Sequence, residues 1–213
     1  MHSEFYTPAQ EEFILVSLDF PRGEEAKAAV PNPDRNRELM NQYGVRGFPT
    51  VIIASAEGVA YGQTGYRDMD PADYLVDVQR IRDTGKEALK SIRSLEAEME
   101  SSKDKLAVCL RAAEMLKEME AGAPGMSVLA DMVRKGMELT DSKEIMVDLL
   151  KALFAAGAVT ESELKKVDEL DPDNAHGLML EAVSYKLDNL QSEEDLAGFV
   201  ILAEKLHATG DER

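Results

Sequence analysis

Any thiol chemistry in this 213-residue chain has to run through one residue, because Cys109 is its only cysteine. One cysteine excludes an intramolecular disulfide, a CxxC redox pair and a cysteine-rich metal site. Cys109 also lies in an apolar run, Leu106, Ala107, Val108, Cys109 and Leu110, where a buried structural thiol is the expectation. The three histidines, His2, His176 and His207, are far apart in sequence and fall in no HExxH or His/Cys grouping. Neither a zinc site nor any other metal site is expected from them. Asp19, Asp68 and Asp70 sit near strand ends or loops without a histidine or second carboxylate at a partnering spacing, and Asp19 reads as a loop cap. The acidic clusters at Glu96, Glu98 and Glu100 and at Glu193, Glu194 and Asp195 lack calcium-loop spacing and read as solvated helix faces or caps. Gly44, Gly47, Gly58, Gly62 and Gly65 are turn and strand glycines rather than a phosphate cradle. The sequence therefore assigns no catalytic residue, no metal ligand and no cofactor.

Charge narrows the partners. Forty-one acidic against 24 basic residues give a formal charge of -17. Such a chain repels polyanions, so neither nucleic acid nor an anionic membrane surface is an expected partner. No run of 18 apolar residues exists to span a bilayer, and the first residues lack the basic and apolar segments of a signal peptide. As written the chain reads as cytoplasmic, or as extracytoplasmic if its natural N-terminus is longer.

The elements fall into two groups. Aromatics, glycine and proline concentrate in residues 1–82, whereas Met, Leu, Lys and Glu dominate 83–213. The expected fold class is α/β plus all-α, with a domain at 1–82 and a helical domain at 83–213. In the first, Thr7, Pro8 and Gln10 signal a helix start. Residues 13–19 (FILVSLD) read as a strand followed by a loop with Pro21, Gly23, Pro31 and Pro33, 34–43 as a helix ending at Gly44, and 50–54 (TVIIA) as a second strand. Glu57-Gly58 turns the chain into a weaker strand at 59–63, forming a hairpin. Asp70-Pro71 opens a helix with apolar positions at Tyr74, Leu75, Val78 and Ile81. The second domain reads as helices over 86–100, 103–120, 126–139, 143–156, 161–170, 172–189 and 193–208. Gly122, Pro124, Gly125 and Gly157 mark breaks, and Thr160 with Glu163 forms a capping box.

The run from Asn36 through Tyr43-Gly44-Val45-Arg46-Gly47-Phe48-Pro49-Thr50 resembles the thioredoxin-like superfamily. The Asp19-Phe20-Pro21 segment, the Glu57-Gly58 turn and Thr64-Gly65-Tyr66 extend that resemblance over residues 1–82. The resemblance implies a cis peptide before Pro49. It also implies that Arg46, Gly47, Phe48, Pro49 and Thr50 form a loop facing a substrate or partner polypeptide. An exposed backbone there could pair with an extended ligand. The departure is equally informative. The family's CxxC and the strands before it are absent, so the chain as written is expected to be redox-inactive. A truncated gene, a fragment or a degenerate domain would each produce this pattern, and truncation is the expectation. The strand at 13–19 and that at 50–54 would lose a common neighbour, leaving open edges through which copies could associate.

In the second domain, Leu170-Asp171-Pro172-Asp173-Asn174-Ala175 resembles a tetratricopeptide-repeat junction, without a clean 34-residue recurrence. The methionines Met115, Met119, Met126, Met132, Met137 and Met146 read first as core filler and second as an adaptable groove. Two functions follow. One is a protein of thiol–disulfide oxidoreductase lineage lacking its redox pair. The other is a non-catalytic scaffold whose helices bind a protein or peptide.

Overall fold

The computed structural model describes residues 3–119, 122–190 and 192–210. A small antiparallel β-sheet is followed by a long helical region, and the chain divides into two compact units, Met1–Leu89 and Lys90–Arg213.

In the first unit, α1 (Ser3–Glu12), α2 (Glu24–Ala28) and α3 (Pro33–Gln42) precede a hairpin of β1 (Thr50–Ala54) and β2 (Ala60–Gly65). Helix α4 (Pro71–Ser101) begins there and runs on past residue 89. Gly44 ends the α3 region with φ +62°, a conformation that costs glycine little. The hairpin register pairs Thr50 with Gly65 and Ile52 with Gln63, with an irregularity after Ile53. Gly58 turns it at φ +81°, and the Tyr43 hydroxyl donates to the Gly58 carbonyl at 2.9 Å, tying the end of α3 to the turn. Helix α4 packs close against β2. A Cβ on Gly85 would collide with the Tyr61 carbonyl, and one on Gly62 with the Ile81 side chain.

Three expectations for this unit need correction. Residues 13–19 form no strand: the two-stranded sheet is β1 and β2, and Ile14, Leu15, Val16 and Leu18 are exposed. A strand is held by its neighbour's peptide groups, and none of the described residues provides that neighbour. Helix α1 starts at Ser3 rather than Thr7, so Pro8 lies inside it and forfeits one backbone bond near its N-terminal end. The span expected to be a loop between Asp19 and α3 contains the short α2.

The second unit is helical: α5 (Lys105–Lys117), α6 (Met126–Glu138), α7 (Lys143–Ala155), α8 (Glu161–Leu164), α9 (Val167–Leu170), α10 (Leu178–Asp188) and α11 (Glu193–Ala208). Its core centres on α5, α6 and α7, where Val108, Leu116, Leu129, Val133, Leu149, Leu150 and Leu153 are fully enclosed. Met132 and Met137 belong to that core, and Met115, Met119, Met126 and Met146 pack against it. The caps are local. Asp104 accepts from the Ala107 amide and Ser142 from the Ile145 amide, and the Thr160–Glu163 capping box forms.

The helix expected to open at Asp70-Pro71 and the one expected over 86–100 are the single helix α4. The span 161–170 breaks into α8 and α9, and the helix expected from Pro172 begins only at Leu178. The physical reason for the late start is a pair of buried acceptors. Asp171 accepts from the amides of His176 and Leu178, and Asn174, at φ +52°, accepts from Met179 and Leu180. These side chains satisfy the orphan donors of the first turn of α10, so residues 172–177 are a capping loop rather than helix.

Candidate binding loop

The end of α3 delivers the chain into the loop 46–50. The Val45 amide bonds back to the Met40 carbonyl at 2.9 Å, closing the helix before Arg46. Arg46, Gly47, Phe48 and Pro49 are exposed and Thr50 is half-buried. The peptide between Phe48 and Pro49 is cis. The Thr50 hydroxyl donates to the Gly47 carbonyl at 2.7 Å, a bond that spans the loop and fixes its curvature. The Phe48 ring is 62% exposed and stacks on Phe20, with centroids 4.9 Å apart. Arg46 has no ion pair among the described residues.

Beside Pro49 lies an open cleft of about 330 Å³. Its walls are Phe5 from α1, Val51 from β1, Tyr66 and Met69 from the loop after β2, and Tyr74 from α4, with Arg67 at its margin. Gly65 closes the floor, where a Cβ would stand 3.0 Å from the Pro49 carbonyl oxygen. The Tyr74 hydroxyl donates to the Gly65 carbonyl at 3.1 Å, and its ring lies 5.6 Å from Phe5. Burial raises the Tyr74 phenol above its ordinary value, and the nearby Asp77 carboxylate adds to the rise. Tyr74 is therefore a neutral donor. Arg67 donates through Nε to the Thr64 hydroxyl at 3.2 Å and faces Asp77 at 3.5 Å. This arrangement can hold an apolar side chain and hydrogen-bond a backbone. It contains no nucleophile beside a base.

Elsewhere the chemistry-bearing residues stay apart. Cys109 is fully buried on α5, and its thiol sits 3.8 Å from the Met99 sulfur. Burial raises the thiol's pKa, a shift Lys135 offsets only in part, so thiolate is disfavoured. Asp19 is exposed, and its carboxylate meets the Ser17 hydroxyl at 3.5 Å, while its carbonyl accepts from Asn36 at 3.3 Å. Asp68 and Asp70 are exposed. Among the described residues no three His, Cys, Asp or Glu side chains gather as a metal site would require. His2 lies outside the described residues, as does the Glu194 side chain of the second acidic cluster; in the first cluster Glu98 pairs with Arg111. No described helix is long and apolar enough to cross a membrane.

The cis peptide before Pro49 is as the resemblance implied, whereas the cleft beside it was not foreseen. Phe5, Tyr66, Met69 and Tyr74 come from three separate elements, and no spacing rule links them. The available signal was Gly65, whose missing side chain permits the approach of Pro49. Compared with protein-family models, with curated proteins and with solved structures, the chain matches none.

Proposed function

We propose that residues 1–82 are part of a thioredoxin-like domain of thiol–disulfide oxidoreductase lineage, inactive in disulfide exchange as this sequence stands. In this reading the loop of Arg46, Gly47, Phe48, Pro49 and Thr50 receives an extended polypeptide. The helical domain, 83–213, follows it. The observation that carries the reading is the apolar cleft lined by Pro49 of that loop, next to an exposed Phe48 that stacks on Phe20, in a unit whose sheet has two strands among the described residues. An extended peptide would lay its backbone along β1 and place one apolar side chain between Phe5, Val51 and Tyr74. Without a thiolate the site holds its polypeptide and does not reduce it.

The test uses two assays on the whole chain. Insulin disulfides should remain unreduced in the presence of dithiothreitol beyond the rate of the reductant alone. Carboxymethylated insulin B chain, an extended polypeptide without thiols, should bind saturably, and Phe48→Ser should weaken that binding. Reductase activity would overturn the inactive chemistry. Binding indifferent to Phe48→Ser would overturn the assignment to this loop. A second reading, a scaffold that docks proteins through its helical domain, draws on Leu196, Val200 and Ile201, which are exposed on α11. Loss of binding on Val200→Lys rather than on Phe48→Ser would select it.

A further inference from the structure

Residues 13–19 have the composition of a core strand and the surroundings of a surface loop. Ile14 is 91% exposed and Val16 75%, and Leu15 and Leu18 are also exposed. Both ends are nonetheless fixed. The Phe13 amide donates to the Ala9 carbonyl at 2.8 Å, and the Arg82 guanidinium lies 5.2 Å over the Phe13 ring. Arg82 is itself held by Glu12 and Asp83. At the other end the buried Asn36 side chain donates to the Asp19 carbonyl. Between these anchors, among the described residues, Ile14 to Leu18 make no backbone–backbone hydrogen bond. The segment is thus tethered, rich in β-branched and aliphatic residues, and bare along its peptide groups.

The bare peptide groups decide what kind of partner fits. A lipid surface or an apolar helix face would cover the side chains and leave the amides and carbonyls unsatisfied. Another strand satisfies both. We propose that this strand is residues 13–19 of a second copy, paired antiparallel about a two-fold axis through Val16.

The sequence is compatible with itself in that register. Val16 meets Val16 of the second copy, Ile14 meets Leu18, Leu15 meets Ser17, and Phe13 meets Asp19. All three even-numbered apolar positions then share one face, on which cross-strand pairs stabilise the ribbon. No like charges oppose one another, because Asp19 is the only charged residue of the segment. A slip of one residue would send Ile14, Val16 and Leu18 to the face opposite their partners. The absence of charge from Phe13 to Leu18 also matters because each copy carries a formal -17. Two such copies repel at long range, so association should tighten as salt screens that repulsion. This pairing is independent of what the loop around Pro49 binds.

Sedimentation velocity on the whole chain reads the proposal. The expected result is a monomer–dimer equilibrium that shifts toward dimer with concentration and with added sodium chloride. Val16→Lys puts two cations face to face at the axis and should leave the chain monomeric, with its far-ultraviolet helix signal unchanged. Val16→Cys should cross-link rapidly under mild oxidation, because residues directly opposite have Cβ atoms about 4.5–5.5 Å apart. Ile14→Cys, whose partner across the ribbon is Leu18, should cross-link slowly. A chain that stays monomeric at high concentration and high salt overturns the proposal. So does a dimer that Val16→Lys leaves intact, or one in which position 14 cross-links as fast as position 16. Binding of insulin B chain is a separate readout, so failure here is distinguishable from failure of the loop assignment.

Discussion

The two units of this chain use apolar residues in opposite ways. Among the described residues of the first, Ala9, Ile53, Leu75 and Val78 are the buried apolar side chains, while ten large ones, Ile14, Val16 and Phe48 among them, are exposed. The second unit encloses a core across α5, α6 and α7, and among its described residues five large apolar side chains are exposed. Helices satisfy their own peptide groups and need only bury a stripe, so a helical unit closes on itself. A sheet leaves its edge groups and one face to a neighbour, and the first unit has two strands with which to answer that demand. The lesson is that exposed apolar surface here goes with the unit built around a two-stranded sheet rather than with composition.

The widest separation between the units should appear in denaturant. Urea should unfold the chain in two transitions, the strand signal and most of the tyrosine fluorescence, which comes from Tyr6, Tyr43, Tyr61, Tyr66 and Tyr74 of the first unit, changing before most of the helix is lost; one coincident transition would collapse the comparison. Within the second unit, Leu150→Ala should cost about 2–5 kcal/mol, because the fully enclosed side chain leaves a cavity. It should lower the second transition and leave the first in place.

Asp171→Ala should cost about 1–3 kcal/mol in the same transition, since the amides of His176 and Leu178 lose their buried acceptor. An unchanged midpoint would show that water replaces the carboxylate.

Acid should also act on the second unit through Glu163. Burial raises this carboxyl's pKa, but hydrogen bonds from the Thr160 hydroxyl and amide, then from Arg134, outweigh burial and hold it below the ordinary value. A carboxylate with a depressed folded pKa contributes stability that is complete above the unfolded value and fades as pH falls through the folded one. Glu163→Gln should therefore lower the melting temperature at neutral pH and flatten its acid dependence; a parallel loss at every pH would exclude the linkage.

The smallest effect on stability is expected at the surface of the first unit. Glu24→Gln breaks an exposed pair with Lys27 and should change stability by less than about 0.5 kcal/mol.

How much of this was legible depended on whether a signal was local. The 50–54 strand, the glycine stop at Gly44, the Thr160–Glu163 capping box and the burial of Cys109 were read from neighbouring residues, because caps, turns and apolar runs act over a few positions. The 13–19 segment was misread for the complementary reason. FILVSLD has the propensity of a strand, but propensity describes how well a residue fits a sheet that already exists. The delayed start of α10 was missed because Asp171-Pro172 is an ordinary helix opening until Asp171 and Asn174 turn inward to accept from later amides.

The sequence by itself determined the two-part character of the chain and the lack of a redox pair within it, since one cysteine cannot make two. Tertiary structure decided which apolar residues became core. It brought Phe5, Val51, Tyr66, Met69 and Tyr74 around one cleft and left Ile14 and Val16 in solvent. The physical reason is the range of the forces involved. Caps, turns and covalent chemistry are set by residues a few positions apart, whereas burial and sheet pairing are properties of surfaces that meet only after the chain has folded.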